Sequence, residues 1–294
     1  MENNKLLVID GFNLLSRGYF ATAYNKTADQ LSRNSHGLYT NALRVFMQKL
    51  FNLINQHQTT HLAIAWDVKR EETDRRKKYD FYKASRNELP EPLIQQYETL
   101  IDVLNQLGVA QLTLPPHEAD DVIGSLAYKW STETDHQCLI YSNDKDLLQL
   151  LNSQTSQVIA QKRVETVYTY KHFQEEYGIE PYQWIEVKAL LGDASDNIPG
   201  VPGVGAKSAL PLIQDYQSID QLYKTLLELD SKYNRYKKKL LEGEKLAKIS
   251  KELVTINCAI DYFDDFDLMT LSYHLQHTQI RHLMESLELN IRLH

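Results

Sequence analysis

Residues 192–205 read Gly-Asp-Ala-Ser-Asp-Asn-Ile-Pro-Gly-Val-Pro-Gly-Val-Gly, and no other stretch of the chain is as informative. Asp193 and Asp196 are three residues apart, so one helical turn can point both carboxylates the same way and let them share a cation. The glycines that follow can bring bare backbone amides close to an anion, because glycine has no side chain in the way. Metal ligands next to a phosphate-binding turn predict an enzyme that acts on phosphodiesters.

Two other interpretations of this stretch are a nucleotide-binding P-loop and a plain helix–turn–helix connector. Residues 200–208 nearly match a nucleotide-binding P-loop, but Ala206 stands where the lysine should be and Lys207 comes one residue late. Residues 184–191 also predict a helix, where a P-loop requires a preceding strand. A helix–turn–helix connector without a ligand remains the alternative for this segment taken alone.

Length and composition place the chain among globular proteins of the cytoplasm. Its 294 residues suffice for one large domain, or a domain with a smaller module. No apolar stretch approaches the ~18 residues of a membrane span, and the N-terminus lacks a signal-peptide pattern, so no membrane association is expected. Of two cysteines, Cys138 lies in an apolar run that predicts a buried, reduced thiol. The absence of a CxxC pair gives no indication of zinc.

Short apolar runs alternate with helical patterns over the first 180 residues. The predicted strands are residues 6–9, 62–66, 111–114 and 138–141, and the predicted helices cover about 38–55, 93–107 and 184–191, with another beginning near Glu118. This order predicts a mostly parallel central sheet flanked by helices on both faces. From about Gln183 the pattern becomes largely helical, which predicts a boundary between residues 1–182 and 183–294.

Acidic residues recur where the predicted strands end. Asp10, Asp67 and Asp144 follow apolar runs, and the carboxyl ends of parallel strands meet at one edge of a sheet. Acids at a helix start can also simply favour the helix dipole, which is the alternative for the Glu118 segment alone. Carboxylates crowded at one edge repel each other unless cations neutralise them, and all-oxygen ligands favour Mg²⁺ or Mn²⁺ over zinc. The candidate ligands, enough for two ions, are Asp10, Asp67, Glu118, Asp120, Asp121, Asp144, Asp146, Asp193 and Asp196.

The net charge of −7 hides an uneven distribution. Without the nine candidate ligands the remaining chain would carry +2. Residues 69–86 contain eight Lys or Arg against four acids, and residues 232–251 contain eight against two. Solvated helices often carry such runs. Around an acidic centre, however, they predict a basic rim that binds a nucleic-acid backbone.

Five motifs in order give the chain a family resemblance. They are Val-Ile-Asp-Gly at 8–11, Ala-Trp-Asp at 65–67, Glu-Ala-Asp-Asp at 118–121, Asn-Asp-Lys-Asp at 143–146, and the run at 192–205. The chain resembles the bacterial 5′-nuclease (flap endonuclease) family, found as the N-terminal part of DNA polymerase I or as a stand-alone exonuclease. Its length leaves no room for a polymerase, so we expect the stand-alone form. The resemblance implies a PIN-like α/β nuclease core over 1–182 with a helical arch at about 68–107. It also implies a helix-three-turn-helix DNA-binding module within 183–294, whose C-terminal tail packs on the core.

The resemblance also implies a role for individual positions. Asp10, Asp67, Glu118 and Asp120 match the ligands of a first metal, with Asp121 in its outer shell, and Asp144, Asp146, Asp193 and Asp196 match a second set, some acting through water. Lys83 and Arg86 resemble the basic pair of the arch that clamps the scissile phosphate, and Asp120 joins them as a catalytic candidate. Tyr82 would stack on an exposed base. The other implied DNA contacts are Arg17, Arg75, Lys188, Gly203, Gly205 and Lys207.

The implied activity is that of a structure-specific 5′-nuclease, both flap endonuclease and 5′-3′ exonuclease, using two Mg²⁺ ions with Mn²⁺ able to substitute. A K⁺ ion would sit at the helix-three-turn-helix turn. The partners would be DNA with 5′ flaps or 5′ ends and RNA primers paired to DNA, in primer removal and repair, with the protein a monomer. A non-catalytic, structure-specific DNA-binding protein of the same fold is the alternative. Asp10-Gly11 also suggests a haloacid-dehalogenase phosphatase, but that class needs an acid where Phe12 stands.

Overall fold

The computed structural model describes residues 4–161 and 164–293. Within them, six strands form one sheet in the order β3-β2-β1-β4-β5-β6. Strands β1 to β5 run parallel and β6 pairs antiparallel with β5. The strands are β1 Lys5–Asp10, β2 His61–Ala65, β3 Ala110–Leu112, β4 Gln137–Tyr141, β5 Thr155–Gln161 and β6 Val164–Tyr168. The predicted mostly parallel sheet is confirmed.

Helices cover both faces of this sheet and form the module that follows it. Those of the described residues are α1 Gly11–Ala23, α2 Asn41–His57, α3 Asp74–Lys78, α4 Glu91–Gln106, α5 Ala119–Glu133, α6 Tyr170–Tyr177, α7 Trp184–Leu191, α8 Ala206–Tyr216, α9 Ile219–Lys224, α10 Asn234–Val254 and α11 His277–Ser286. Across the described ranges, none of them is both long and apolar enough to cross a membrane.

Strand β1 lies at the centre of the sheet and is buried on both faces. Leu7 and Ile9 pack with side chains of α1, α2 and α4, whereas Leu6 and Val8 pack with those of α5. A strand covered on both faces reads as a continuous apolar run, which is why the sequence predicted it well. Its register with β2 and β4 brings the carboxyl ends of all three strands to one edge.

Helix α1 was not predicted, because helical periodicity in the sequence becomes clear only from Leu38. The Asp10 side chain accepts a hydrogen bond from the Asn13 amide at 3.1 Å and so caps this helix. A Cβ atom at Gly11 would lie 2.6 Å from the Trp66 ring, so the glycine lets α1 approach β2 closely. Gly11 and the exposed Phe20 side chain weaken the apolar periodicity that would predict a helix here.

Strands β5 and β6 were also missed. Thr155, Ser156 and Gln157 are buried in β5 although they are polar, so the strand lacks the apolar run that marks β1. In β6, Val164 is largely exposed, as expected of an edge strand. Strand pairing rather than local hydrophobicity therefore creates this side of the sheet.

The predicted arch, about 68–107, contains a 3-10 helix at Arg70–Glu72 and the helices α3 and α4. Helix α4 packs in the main core through Leu93, Leu100 and Leu104, so it belongs to the body of the domain. Residues 79–86 form turns across the carboxyl edge of the sheet, and Lys83 adopts a left-handed backbone conformation with φ 53° that a helix does not allow. Between residues 73 and 87 the chain is thus a short helix followed by a folded segment, and the arch stays a prediction.

The chain after residue 170 builds a second core. Helices α7, α8 and α10 pack around side chains that include Leu190, Leu212 and Leu240. Beyond α10 the chain returns to the sheet, where Ile260 packs on the α5 side and Ile280 on the α2 side. The predicted helix 184–191 coincides with α7. The domain boundary at residues 182 and 183 stays a prediction.

Candidate functional site

Four carboxylates meet at the carboxyl edge of the sheet, and we call Asp10, Asp67, Asp120 and Asp144 the sheet-edge carboxylates. Asp10 ends β1, Asp67 follows β2 by two residues, and Asp144 follows β4 by three. Asp120 lies in the first turn of α5. The Ala119 amide donates to Asp67 Oδ1 at 3.0 Å, which ties the start of α5 to the end of β2.

The sheet-edge carboxylates destabilise each other's charged forms. Burial, followed by the charges of Asp67 and Asp144, raises the pKa of Asp10 to about 7. Burial and the charges of Asp144 and Asp10 also hold the pKa of Asp120 well above its usual range. The Asp67 carboxylate is reached by solvent, yet surrounding protein atoms in the concave edge desolvate it and raise its pKa. A bound cation would remove this repulsion.

The other five candidate ligands already have basic partners, and we call them the ion-paired carboxylates: Glu118, Asp121, Asp146, Asp193 and Asp196. Arg75 binds Asp121 through two hydrogen bonds of 2.6 and 2.7 Å and reaches Glu118 at 3.2 Å. It also donates to the Thr255 carbonyl oxygen at 2.7 Å. The buried Asp121 carboxylate in addition accepts from the Glu118 amide and closes the cap of α5. The Asp121 carboxylate therefore stabilises the fold, through its bonds to Arg75 and to the start of α5.

Lys83 lies over the sheet edge, held by both its backbone and its side chain. Its Nζ is 2.7 Å from Glu118 Oε1 and its amide donates to the Asp196 carbonyl oxygen at 2.9 Å. The Tyr82 hydroxyl donates to Glu118 Oε2 at 3.0 Å. Although burial alone lowers the pKa of Lys83, the surrounding Tyr82, Glu118 and Asp67 raise it overall, so the ammonium stays charged.

Two further cations neutralise the acids contributed by residues 146–196. The buried Lys188 ammonium lies 2.8 Å from Asp146 Oδ1 and 2.7 Å from Asp193 Oδ2. Burial alone would raise the pKa of Asp193, but hydrogen bonds from Lys188 and Ser195 lower it overall. Arg86 binds Asp196 at 2.5 Å.

All nine predicted ligands therefore reach one region, but the structure divides them. In the described part of the chain no three His, Cys, Asp or Glu side chains form a group that could hold a metal ion as they stand. Arg75, Lys83, Arg86 and Lys188 form ion pairs with five of the nine carboxylates. The sheet-edge carboxylates are left as the set that most needs an added cation.

Several predicted DNA contacts are engaged inside the protein. Tyr82 is only 3 % exposed and packs with Ile198, Leu253 and Val254, so its ring is not available to stack on a base in this structure. Arg75 and Lys188 point into the acidic cluster rather than outward. In this structure apolar side chains enclose Tyr82, and carboxylates bind Arg75 and Lys188, while the direct DNA contact of these three residues stays a prediction.

Arg17 belongs to the same group of internally bonded residues. It donates to Asn143 Oδ1 at 2.8 Å and to the Ala160 carbonyl oxygen at 3.2 Å, joining α1 to β4 and β5. By contrast, Gly203 and Gly205 are exposed in the turn between α7 and α8, and Lys207 is exposed in the first turn of α8, where a DNA backbone can reach them. These three stay predicted contacts.

The turn that presents them is tightly closed. A Cβ atom at Gly200 would lie 2.5 Å from the Gly192 amide nitrogen, and Gly200 has φ 58°, so only glycine fits there. The Gly200 amide donates to Ser250 Oγ of α10 at 2.9 Å. Lys239 of α10 donates to the Gly203 carbonyl oxygen at 3.2 Å, which adds a positive charge beside the exposed glycine.

Residues that the sequence argument did not select support the site. Ser142 donates to Asp10 Oδ2, Gln157 donates to the loop that carries Asp144, and the Asn143 side chain pairs with both backbone groups of Ala160. Ser142 and Asn143 could have been found because they precede Asp144 directly. Gln157 could not, because it lies in a strand that the sequence did not predict.

Comparisons with known proteins agree with this architecture. A family model for the 5′-3′ exonuclease N-terminal resolvase-like domain matches residues 5–178, and one for the 5′-3′ exonuclease C-terminal SAM fold matches residues 179–278. The chain is 58 % identical to a 5′-3′ exonuclease of Halalkalibacterium halodurans, covering 92 % of this chain and 89 % of the relative. It is 37 % identical to a 5′-3′ exonuclease of Bacillus subtilis, covering 88 % and 86 %.

A solved structure with the same fold is the flap endonuclease of bacteriophage T5 in complex with DNA and metal ions. It superimposes with a TM-score of 0.65 at 22 % identity, covering 97 % of this chain and all of that one. The two curated exonucleases match nearly the whole chain, which speaks against a non-catalytic DNA-binding protein. The chain therefore belongs to the 5′-3′ exonuclease family and is a nuclease that hydrolyses DNA.

Proposed function

We propose that this enzyme is a structure-specific 5′-nuclease, acting as flap endonuclease and 5′-3′ exonuclease, and that it depends on two Mg²⁺ ions. The observation that carries the proposal is the meeting of the sheet-edge carboxylates at one edge of the sheet, where burial and then mutual repulsion raise the pKa of Asp10 and Asp120. Family membership supports the reaction class. The T5 relative, whose structure contains DNA and metal ions, supports the same fold for such chemistry.

The donor set fits divalent cations of the Mg²⁺ type. All candidate ligands are carboxylate oxygens, which Mg²⁺ and Mn²⁺ prefer. Asp10, Asp67 and Asp120, together with Glu118, would hold the first ion, and Asp144, Asp146, Asp193 and Asp196 the second, with Asp121 outside the first set. Two such ions, when bound, stabilise the negative charge that develops on the attacking and leaving oxygens of a phosphodiester.

The basic residues of the site would bind the scissile phosphate and neutralise its charge. Lys83 keeps a charged ammonium at the sheet edge, where Glu118 and the Asp196 backbone orient it. Arg86 is half exposed and reaches the same edge through Asp196. Both can neutralise the scissile phosphate as negative charge grows during cleavage. Glu118 and Tyr82 then act by positioning Lys83.

DNA would be bound mainly through its backbone, as expected of an enzyme that reads shape rather than sequence. The exposed turn with Gly203, Gly205 and Lys207 offers amides and a cation to the duplex behind the cut. A K⁺ ion held by carbonyl oxygens of this turn would strengthen the contact. Substrates would be 5′ flaps, 5′ ends and RNA primers on DNA, cleaved in primer removal and repair in the cytoplasm, with the protein as a monomer.

A labelled 5′-flap duplex tests the proposal. The protein is incubated with it in Mg²⁺, in Mn²⁺ and in EDTA, next to Asp120→Ala and to the matched control Asp265→Ala, which changes an exposed acid outside the nine candidate ligands. We expect cleavage at the flap base that needs the metal and falls more than about 100-fold in Asp120→Ala, since even outer partners of a metal site are worth 10–100-fold. Tight binding without cleavage in either metal would contradict the proposal.

A further inference from the structure

Ser142 lies directly after β4, and its hydroxyl bonds both to the side chain of Asp10 and to the backbone of Asp144. Its Oγ donates to Asp10 Oδ2 at 2.9 Å and accepts from the Asp144 amide at 3.0 Å. The residue is fully buried, so bulk water does not compete for these bonds. One hydroxyl thus joins the end of β1 to the loop that carries Asp144 and Asp146.

Gln157 of β5 binds the backbone of the same loop, which carries Asp144 and Asp146. Its Nε2 donates to the Ser142 carbonyl oxygen at 2.9 Å and to the Asp144 carbonyl oxygen at 2.6 Å. The loop then closes on itself, because the Asp146 amide donates to Asp144 Oδ1 at 2.8 Å. These bonds fix both the backbone and the side chain of Asp144.

Keeping a glutamine here costs stability. Gln157 is fully buried, and among the described residues its Oε1 atom has no hydrogen-bond partner. An unsatisfied buried acceptor is unfavourable, because it gives up its hydrogen bonds to water and gains none in the folded chain. An apolar side chain would avoid that cost but would release the two carbonyl oxygens, so the amide donors are the feature that this position provides.

We propose that Ser142 and Gln157 are positioning residues that hold Asp10 and the Asp144–Asp146 loop as one rigid unit, and thereby couple the two proposed cation sites. Asp10 belongs to the first proposed ligand set and Asp144 to the second, and Ser142 bonds to both. The inference rests on the proposed metal-dependent function. Outer partners that orient metal ligands are worth 10–100-fold in metal affinity.

Calorimetric titration of Mn²⁺ into the metal-free full chain, without DNA, tests the coupling. Ser142→Ala is expected to bind Mn²⁺ about tenfold more weakly or worse, and Ser142→Thr, which keeps the hydroxyl, to restore the affinity. Thr155→Val is the matched control, because Thr155 is buried in the same strand as Gln157 and its Oγ1 bonds to nothing among the described residues. Thermal unfolding in EDTA checks that each variant folds, since loss of affinity in a folded variant is not a general structural effect.

The outcomes separate the inference from the proposed function. Wild-type affinity in folded Ser142→Ala overturns the inference alone. Should Ser142→Ala not fold, Gln157→Met, which keeps the side-chain length, carries the same measurement: about tenfold weaker binding supports the coupling and unchanged binding overturns it. A wild-type chain that takes up no Mn²⁺ overturns the proposed function and the inference with it.

Discussion

Asp10 of the sheet-edge carboxylates and Asp193 of the ion-paired carboxylates lie in one cleft, yet their pKa values shift in opposite directions. Burial and then the charges of Asp67 and Asp144 raise the pKa of Asp10 to about 7, whereas hydrogen bonds from Lys188 and Ser195 lower the pKa of Asp193 against the effect of burial. The ionised form of Asp10 therefore destabilises the folded chain and that of Asp193 stabilises it, whereas burial and the charge of Asp144 raise the pKa of Asp146 to about 6 in spite of its contact with Lys188. The chain thus carries its own cations beside the ion-paired carboxylates, and the proposed metal ions would neutralise the sheet-edge carboxylates.

The largest expected effect is the loss of folding stability when Arg75 is replaced. Arg75→Met would leave Asp121 and Glu118 buried without their guanidinium partner. Breaking a buried pair by removing one partner costs about 3–5 kcal/mol. Urea unfolding measures the loss, with Lys77→Met, an exposed residue of the same helix, expected to change stability by less than about 0.5 kcal/mol. Similar stabilities for the two variants would show that Arg75 is not needed to keep this half of the cleft folded.

Lys188→Met would make part of the ion-paired set resemble the sheet-edge set. Asp146 and Asp193 would lose their shared ammonium, so we expect the free energy of unfolding in EDTA to fall by about 2 kcal/mol. Mn²⁺ should restore more stability to this variant than it adds to the wild type, because a ligand that binds only the folded chain stabilises it. Equal gains from Mn²⁺ would mean that the lysine does not compete with a cation.

Single neutralisations should shift stability in opposite directions. At pH 8 in EDTA, Asp10→Asn relieves repulsion and is expected to raise the free energy of unfolding by about 1 kcal/mol, whereas Asp193→Asn weakens a hydrogen-bonded ion pair and lowers it by about the same amount. Chemical denaturation of both variants measures the signs. Two changes of the same sign would remove the distinction between the sets.

The smallest expected effect is the change of the free energy of unfolding with pH, which differs in sign between Asp10 and Asp193. Asp10 has a pKa raised above its unfolded value of 3.8, so its contribution is complete below pH 3.8 and is lost as the pH rises through about 7. In EDTA the wild type should lose roughly 1 kcal/mol between pH 6 and pH 8, and Asp10→Asn should lose less. Asp193 has a lowered pKa, so its contribution is present above pH 3.8 and is lost only as the pH falls below that value. A flat profile for the wild type between pH 6 and 8 would contradict the first assignment.

Local signals explain most of what could be predicted. β1, β2 and β4 are apolar runs followed by acids, so both the strands and the positions of Asp10, Asp67 and Asp144 could be found in the sequence. α1 and β5 were missed because glycines in one and buried polar residues in the other weaken the periodicity. The folded segment 79–86 was missed because its shape depends on bonds to Asp196 and Glu118, far along the chain.

The sequence by itself establishes the family resemblance, the α/β class and the nine candidate ligands, since these follow from residue types and short spacings. Only the tertiary structure decides which carboxylates are neutralised and which repel. Arg75 bonds to residues 43, 46 and 180 positions away, and the hydroxyl of Ser142 reaches Asp10 across 132. Such pairings depend on how strands and helices pack, because electrostatic and hydrogen-bond energies follow distance in space and not separation along the chain.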